Sequence, residues 1–139
     1  MDEAKRQEIQ AWLVKAHQDM RSAEWLLSSP DRLYNAVGFH CQQAAEKALK
    51  AYLTWQDEPF EKTHSLVVLV SKCLPFEPAF ETLRLAATTL TPYAVTFRYP
   101  GGLPELTAEE AEQAISLARL VWDFALNKLP SVTHPEENQ

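Results

Sequence analysis

Ile9, Leu13, Ala16, Met20, Ala23 and Leu27 follow one another at steps of three and four, and Trp12 and Leu26 widen the row. At 3.6 residues per turn these positions share one side of an α-helix, whereas a strand would scatter them over both faces. The spacing predicts a first helix from Glu3 to about Leu27, ended near Ser28-Ser29-Pro30. Lys5, Gln18, Asp19 and Ser22 fall off its apolar stripe.

The same reading carries along the chain. A second helix is expected from about Asp31 to Trp55, with Tyr34, Val37, Cys41, Ala44, Ala45, Ala48, Tyr52 and Trp55 as its apolar positions. Gly38 interrupts it at a cost of about 1 kcal/mol relative to alanine, which close packing of a neighbour would offset. A short third helix follows Thr63-His64-Ser65, from Leu66 to about Cys73, and a fourth begins near Pro78 with Phe80, Leu83, Ala87 and Leu90 turned inward. The fifth opens on Thr107-Ala108-Glu109-Glu110, the pattern of a capping box, and carries Ala111, Ala114, Ile115, Ala118, Val121, Trp122, Ala125 and Leu129. The fold expected is all-α: an antiparallel, up-and-down bundle of four long helices and one short one. Residues 1–130 form its single domain, and residues 131–139 a polar, frayed C-terminal tail.

Composition removes several classes of function. Only Gly38, Gly101 and Gly102 are present, so neither GxGxxG nor GxxxxGK[ST] can be built, and the turns of a many-stranded β fold lack their residue. A net charge of −6 opposes wrapping duplex DNA or coating an anionic membrane. Neither half is a basic arm: residues 1–60 carry seven Lys and Arg against nine Asp and Glu, and residues 61–139 six against ten. Cys41 and Cys73 form no CxxC pair, and the start MDEAKRQEIQ is charged where a signal peptide is apolar. A reduced, cytoplasmic protein that does not enter membranes is expected.

Few residues suggest chemistry. His40, Gln43 and Lys47 recur at steps of three and four on the second helix, with Glu46 and Lys50 nearby. Such a row on an otherwise small and apolar helix is either a solvated face or the wall of a groove, ligand site or subunit contact. Between the fourth and fifth helices lie about sixteen residues, Thr91–Leu106, long for a connection in a compact bundle. Within them Arg98 stands among Phe97, Tyr99 and Pro100, a setting that suits stacking or phosphate recognition. His64, at the start of the third helix, is read as a local cap. His17, His40, His64 and His134 are scattered, with no HExxH, so no metal site is expected and no cofactor is called for.

The run Tyr34-Asn-Ala-Val-Gly-Phe-His-Cys-Gln-Gln-Ala-Ala-Glu-Lys-Ala-Leu-Lys-Ala-Tyr-Leu53 resembles the signature helix of HEPN-domain proteins. Ala16, Asp19 and Ala23-Glu24 in the first helix, Thr63-His64-Ser65-Leu66, and Phe97-Arg98-Tyr99-Pro100 add to the likeness, which covers residues 8 to 128. The resemblance implies a helical bundle, commonly a homodimer, often paired with a minimal nucleotidyltransferase in a toxin–antitoxin-type system. Some members are metal-independent ribonucleases that use an Arg-x(4–6)-His motif. This chain departs from that motif: none of Arg6, Arg21, Arg32, Arg84, Arg98 or Arg119 has a histidine at the required distance, and seven residues separate Arg32 from His40.

The leading expectation is therefore a non-catalytic module that dimerises and binds a nucleotide, RNA or a nucleotidyltransferase partner. Its binding residues would be His40, Gln43, Lys47, Arg98 and Tyr99, with no catalytic residue assigned. Two alternatives stay open: a ribonuclease toxin with a divergent site, and a purely structural dimerisation module.

Overall fold

A computed structural model describes residues 1–96 and 105–136. Among these residues every regular element is helical. Helix α1 spans Glu3–Ser28, capped by the Asp2 carboxylate, which accepts from the Lys5 N–H at 2.8 Å. Helix α2 spans Tyr34–Trp55. It starts three residues later than the spacing suggests, because Arg32 has φ 55°, a left-handed turn that a continuing helix does not allow.

Helix α3, Leu66–Cys73, begins at Ser65, whose hydroxyl accepts from the Val68 N–H. The hydroxyl of Ser65 is thus the cap, and the histidine before it is free for another role. The expected long fourth helix is broken into two pieces, a 3₁₀ segment Pro78–Leu83 and helix α4 at Arg84–Leu90, and the expected connection after it opens with a short helix α5 at Tyr93–Thr96. Three residues per turn stack positions i and i+3, and so Phe80 and Leu83 both enter the core from the tighter segment. Helix α6, Ala108–Lys128, carries the predicted capping box, with Thr107 Oγ1 accepting from Glu110 N–H and Glu110 Oε1 accepting from Thr107 N–H. The described residues therefore form three long helices rather than four.

Contacts set the directions of these helices. Lys5 pairs with Asp57 at one end of α1 and Asp19 with His40 towards the other, so α1 and α2 run antiparallel. Helix α6 is antiparallel to α1, as Arg119 meets Glu24 while His134 beyond its end meets Gln10. Ile9, Leu13, Ala16, Met20 and Ala23 of α1 are buried against Val37, Cys41, Ala44, Ala45 and Ala48 of α2 and Ala111, Ala114, Ala118, Val121 and Ala125 of α6. Removing this apolar surface from water is the main stabilising term, and the small side chains let the helices approach closely. At one end of the core, Phe80 packs its ring 4.5 Å from Tyr52 and 4.8 Å from Phe124.

Residues beyond Pro130 are not frayed as far as they are described. Ser131–Thr133 form a 3₁₀ turn, Thr133 is fully buried, and the His134 ring meets the carbonyl oxygens of Leu126 and Leu129 through Nε2. The Leu126 carbonyl already accepts from the Leu129 N–H, so the ring adds a second contact there and meets the Leu129 carbonyl at the end of α6.

Candidate functional site

Helix α2 carries its charged and amide side chains on the arc not occupied by alanines. Two separate networks grow from that arc. In the first, the Asp19 carboxylate of α1 accepts from His40 Nδ1 at 2.9 Å and from Lys47 Nζ at 2.5 Å. In the second, Glu46 accepts from Lys50 Nζ at 2.9 Å, from His64 Nδ1 at 2.8 Å and from Gln42 Nε2 at 3.1 Å. Gln42 also donates to the His64 carbonyl, and Gln43 donates to Gln42 Oε1 at 2.7 Å.

The predicted row thus divides. His40 and Lys47 come together on Asp19, while Gln43 joins the Glu46 group on the other side. Arg98 and Tyr99 lie outside the described residues. Spacing alone sets Asp19 off the apolar stripe of α1, yet it is buried. Its position carries the signal: it stands three residues after Ala16 and four before Ala23, at the edge of the stripe itself. Glu46 and Lys50 stand in the sequence only as neighbours of the row, and both are buried.

Burial would push the Glu46 carboxyl up. Hydrogen bonds from Lys50, His64 and Gln42, with the Lys50 charge, outweigh it and hold the group below its ordinary value. Lys50 Nζ also lies 5.7 Å from the Trp12 ring centre and 5.5 Å from that of Phe60, so two aromatic faces share its charge with Glu46. Every buried side-chain nitrogen and oxygen among the described residues has a hydrogen-bond partner. A satisfied buried network of this kind fixes the register of α1 and α3 on α2.

An ionised carboxylate only accepts, so each histidine presents its Nδ1–H inward and leaves Nε2 as the second functional nitrogen. The His64 side chain is 54% exposed and that of His40 30%. No group of three or more His, Cys, Asp and Glu among the described residues could hold a metal ion. Burial pushes the thiols of Cys41 and Cys73 up to about 12, which leaves both protonated and unreactive at neutral pH. No helix among the described residues is long and apolar enough to cross a membrane.

The family described as HEPN domain matches residues 9–129. The crystal structure of TT1696 from Thermus thermophilus is similar, with a TM-score of 0.77 at 32% identity over 88% of this chain and 99% of that one. ST0689, an archaeal HEPN homologue, is similar with a TM-score of 0.70 at 26% identity, over 86% of this chain and 96% of its own. No curated protein matches the chain.

Proposed function

Because this chain belongs to the HEPN domain family, we propose that it is a non-catalytic HEPN module that acts through protein contacts. It works as a homodimer that docks a minimal nucleotidyltransferase, in a pair of toxin–antitoxin type. The observation that carries this reading is the internal neutralisation of the α2 cations: Lys47 is held by Asp19 and Lys50 by Glu46. For either lysine to bind a phosphate it would have to leave a carboxylate that is itself buried. The row therefore serves as a rigid frame for a surface more readily than as a nucleotide pocket, unless Arg98 and Tyr99 supply the phosphate and base contacts themselves.

Purification of the tagged chain from its own cells, with co-purifying proteins identified by mass spectrometry, tests the pairing. A nucleotidyltransferase in stoichiometric amount is the expected result; its absence overturns the pairing. Thermal-shift measurements with ATP and GTP separate the nucleotide reading, which requires a rise in Tm that Lys47→Ala or Arg98→Ala removes.

One observation favours a second reading, a metal-independent ribonuclease with a divergent site. Both His40 and His64 have Nδ1 fixed on a carboxylate, an arrangement that orients Nε2 for proton transfer. Cleavage of RNA in the presence of EDTA, lost in His40→Ala or His64→Ala, would replace the first reading with this one.

A further inference from the structure

On α1, His17, Arg21 and Glu24 face away from Asp19 and towards α6. With Met20 they meet Arg119, Trp122 and Asp123 of α6 around an open cleft of about 450 Å³. Met20 and Trp122 are its apolar lining: Met20 is buried, and the half-buried Trp122 ring lies 5.8 Å from the His17 ring at 39°. Its rim is charged and only partly paired. Arg119 donates to Glu24 at 2.9 Å, whereas Arg21 and Asp123 are exposed and make no hydrogen bond or ion pair with any described residue. Trp25, next to Glu24 and one helical turn on from Arg21, is 74% exposed, the highest figure among the large hydrophobic side chains described.

These features match one another across a twofold axis. In an isologous contact, residue i of one copy meets residue j of the other and j meets i, so a surface needs its own complement. Here a lone guanidinium on one wall of the cleft faces the same side of the molecule as a lone carboxylate on the other wall. An indole stands next in sequence to Glu24 of the cleft wall, and the cleft, with Met20 and Trp122 in its lining, is large enough to receive an indole. We propose that this face is the homodimer interface, with Trp25 of each copy seated in the partner's α1–α6 cleft and Arg21 paired with the partner's Asp123. An exposed tryptophan buried in a pocket and ringed by charge pairs is the arrangement that concentrates binding energy at protein interfaces.

The inference rests on the homodimer in the proposed function, and one set of measurements separates the two. Sedimentation velocity on the full chain from about 1 nM, with fluorescence detection, to about 100 µM, a range that spans nanomolar and micromolar dissociation constants, gives the dimerisation constant. Circular dichroism shows that each variant is folded. Dimer is expected for the native chain. Arg21→Asp and Asp123→Arg should each weaken it at least about tenfold, because like charges then meet twice across the axis. The double exchange R21D/D123R should recover most of the loss, and Trp25→Ser should leave a folded monomer. A native chain that stays monomeric throughout that range overturns the homodimer itself. A native dimer that ignores Trp25→Ser and both charge reversals leaves the homodimer standing and overturns this interface. So does a double exchange no tighter than the single variants.

Discussion

Asp19 of α1 and Lys47 of α2 meet at 2.5 Å across the helix interface, and the second oxygen of the same carboxylate holds His40. One side chain thereby neutralises the cation that spacing alone nominates for a ligand. Asp19→Asn keeps the shape but removes the charge that both partners require. Unfolding free energy should fall by about 2 kcal/mol, the penalty for stranding partly buried charged donors. Lys47→Met, which leaves Asp19 its histidine, should lower it by about 1 kcal/mol or less. Urea titrations of the two single variants and the double variant would check this. Additive losses would show that the pair is not coupled.

Glu46 predicts how the protein responds to acid. Its carboxyl gives up a proton more readily in the folded chain than in the unfolded one: burial opposes this, but the hydrogen bonds from Lys50, His64 and Gln42 prevail. Its contribution is complete above the unfolded value, near the ordinary 4.5, and is lost as pH falls through the lower folded value. Stability measured by urea titration should therefore drop, as pH falls through the ordinary 4.5 and below it, more steeply in the native chain than in Glu46→Gln. At neutral pH the same substitution should cost about 3 kcal/mol, since it leaves Lys50 buried without its counter-charge. Equal slopes in acid would remove Glu46 from the account.

Gly38 inverts an ordinary helix rule. In an open helix, alanine in place of glycine stabilises by about 1 kcal/mol. Here the added carbon would lie 2.6 Å from Leu106 Cδ1 and 3.2 Å from the Tyr93 ring. Leu106 is pinned by its backbone N–H, which donates to Asn35 Oδ1 at 2.8 Å, and its side chain is buried. Gly38→Ala should therefore lower stability by about 1 kcal/mol net of the helix gain. In a Leu106→Ala background the same change should stabilise. Thermal melts of the four proteins decide it; a stabilised single variant would show that Leu106 swings aside freely.

The cysteines should be silent. Cys41 and Cys73 are fully buried, and burial pushes both thiols up to about 12. Ellman's reagent at about pH 8 should release less than about a tenth of an equivalent per chain from folded protein, and about two equivalents in guanidinium. Rapid labelling of the folded chain would mean that the α2 core opens locally.

Helix positions, the capping box at Thr107 and Glu110, the small-residue face of α2 and the tight site at Gly38 are all legible in the sequence. Each depends on residues close along the chain: a 3.6-residue period, a cap three positions from its partner, a glycine where a side chain would be missed. The fourth helix is less legible, because Phe80 and Leu83 suit an α or a 3₁₀ turn equally at a step of three, and only the core they fill selects the tighter one.

The amino-acid sequence by itself determined that this chain is helical, that His40, Gln43 and Lys47 share one side of α2, and that HEPN proteins are its kin. What the polar residues do there was decided by tertiary structure. Asp19 is 28 positions from Lys47, and Glu46 is 18 from His64; charge on a helix face says nothing about which carboxylate will be carried against it. Packing α1 onto α2 brought the Asp19 carboxylate in, the start of α3 carried His64 to Glu46, and Coulomb attraction in a poorly solvated groove turned a row of apparent ligands into two internal networks. The same packing left Arg21, Trp25 and Asp123 facing outward, the two charges without partners among the described residues. Local spacing sets which side chains share a face, and only the arrangement of helices sets what that face meets.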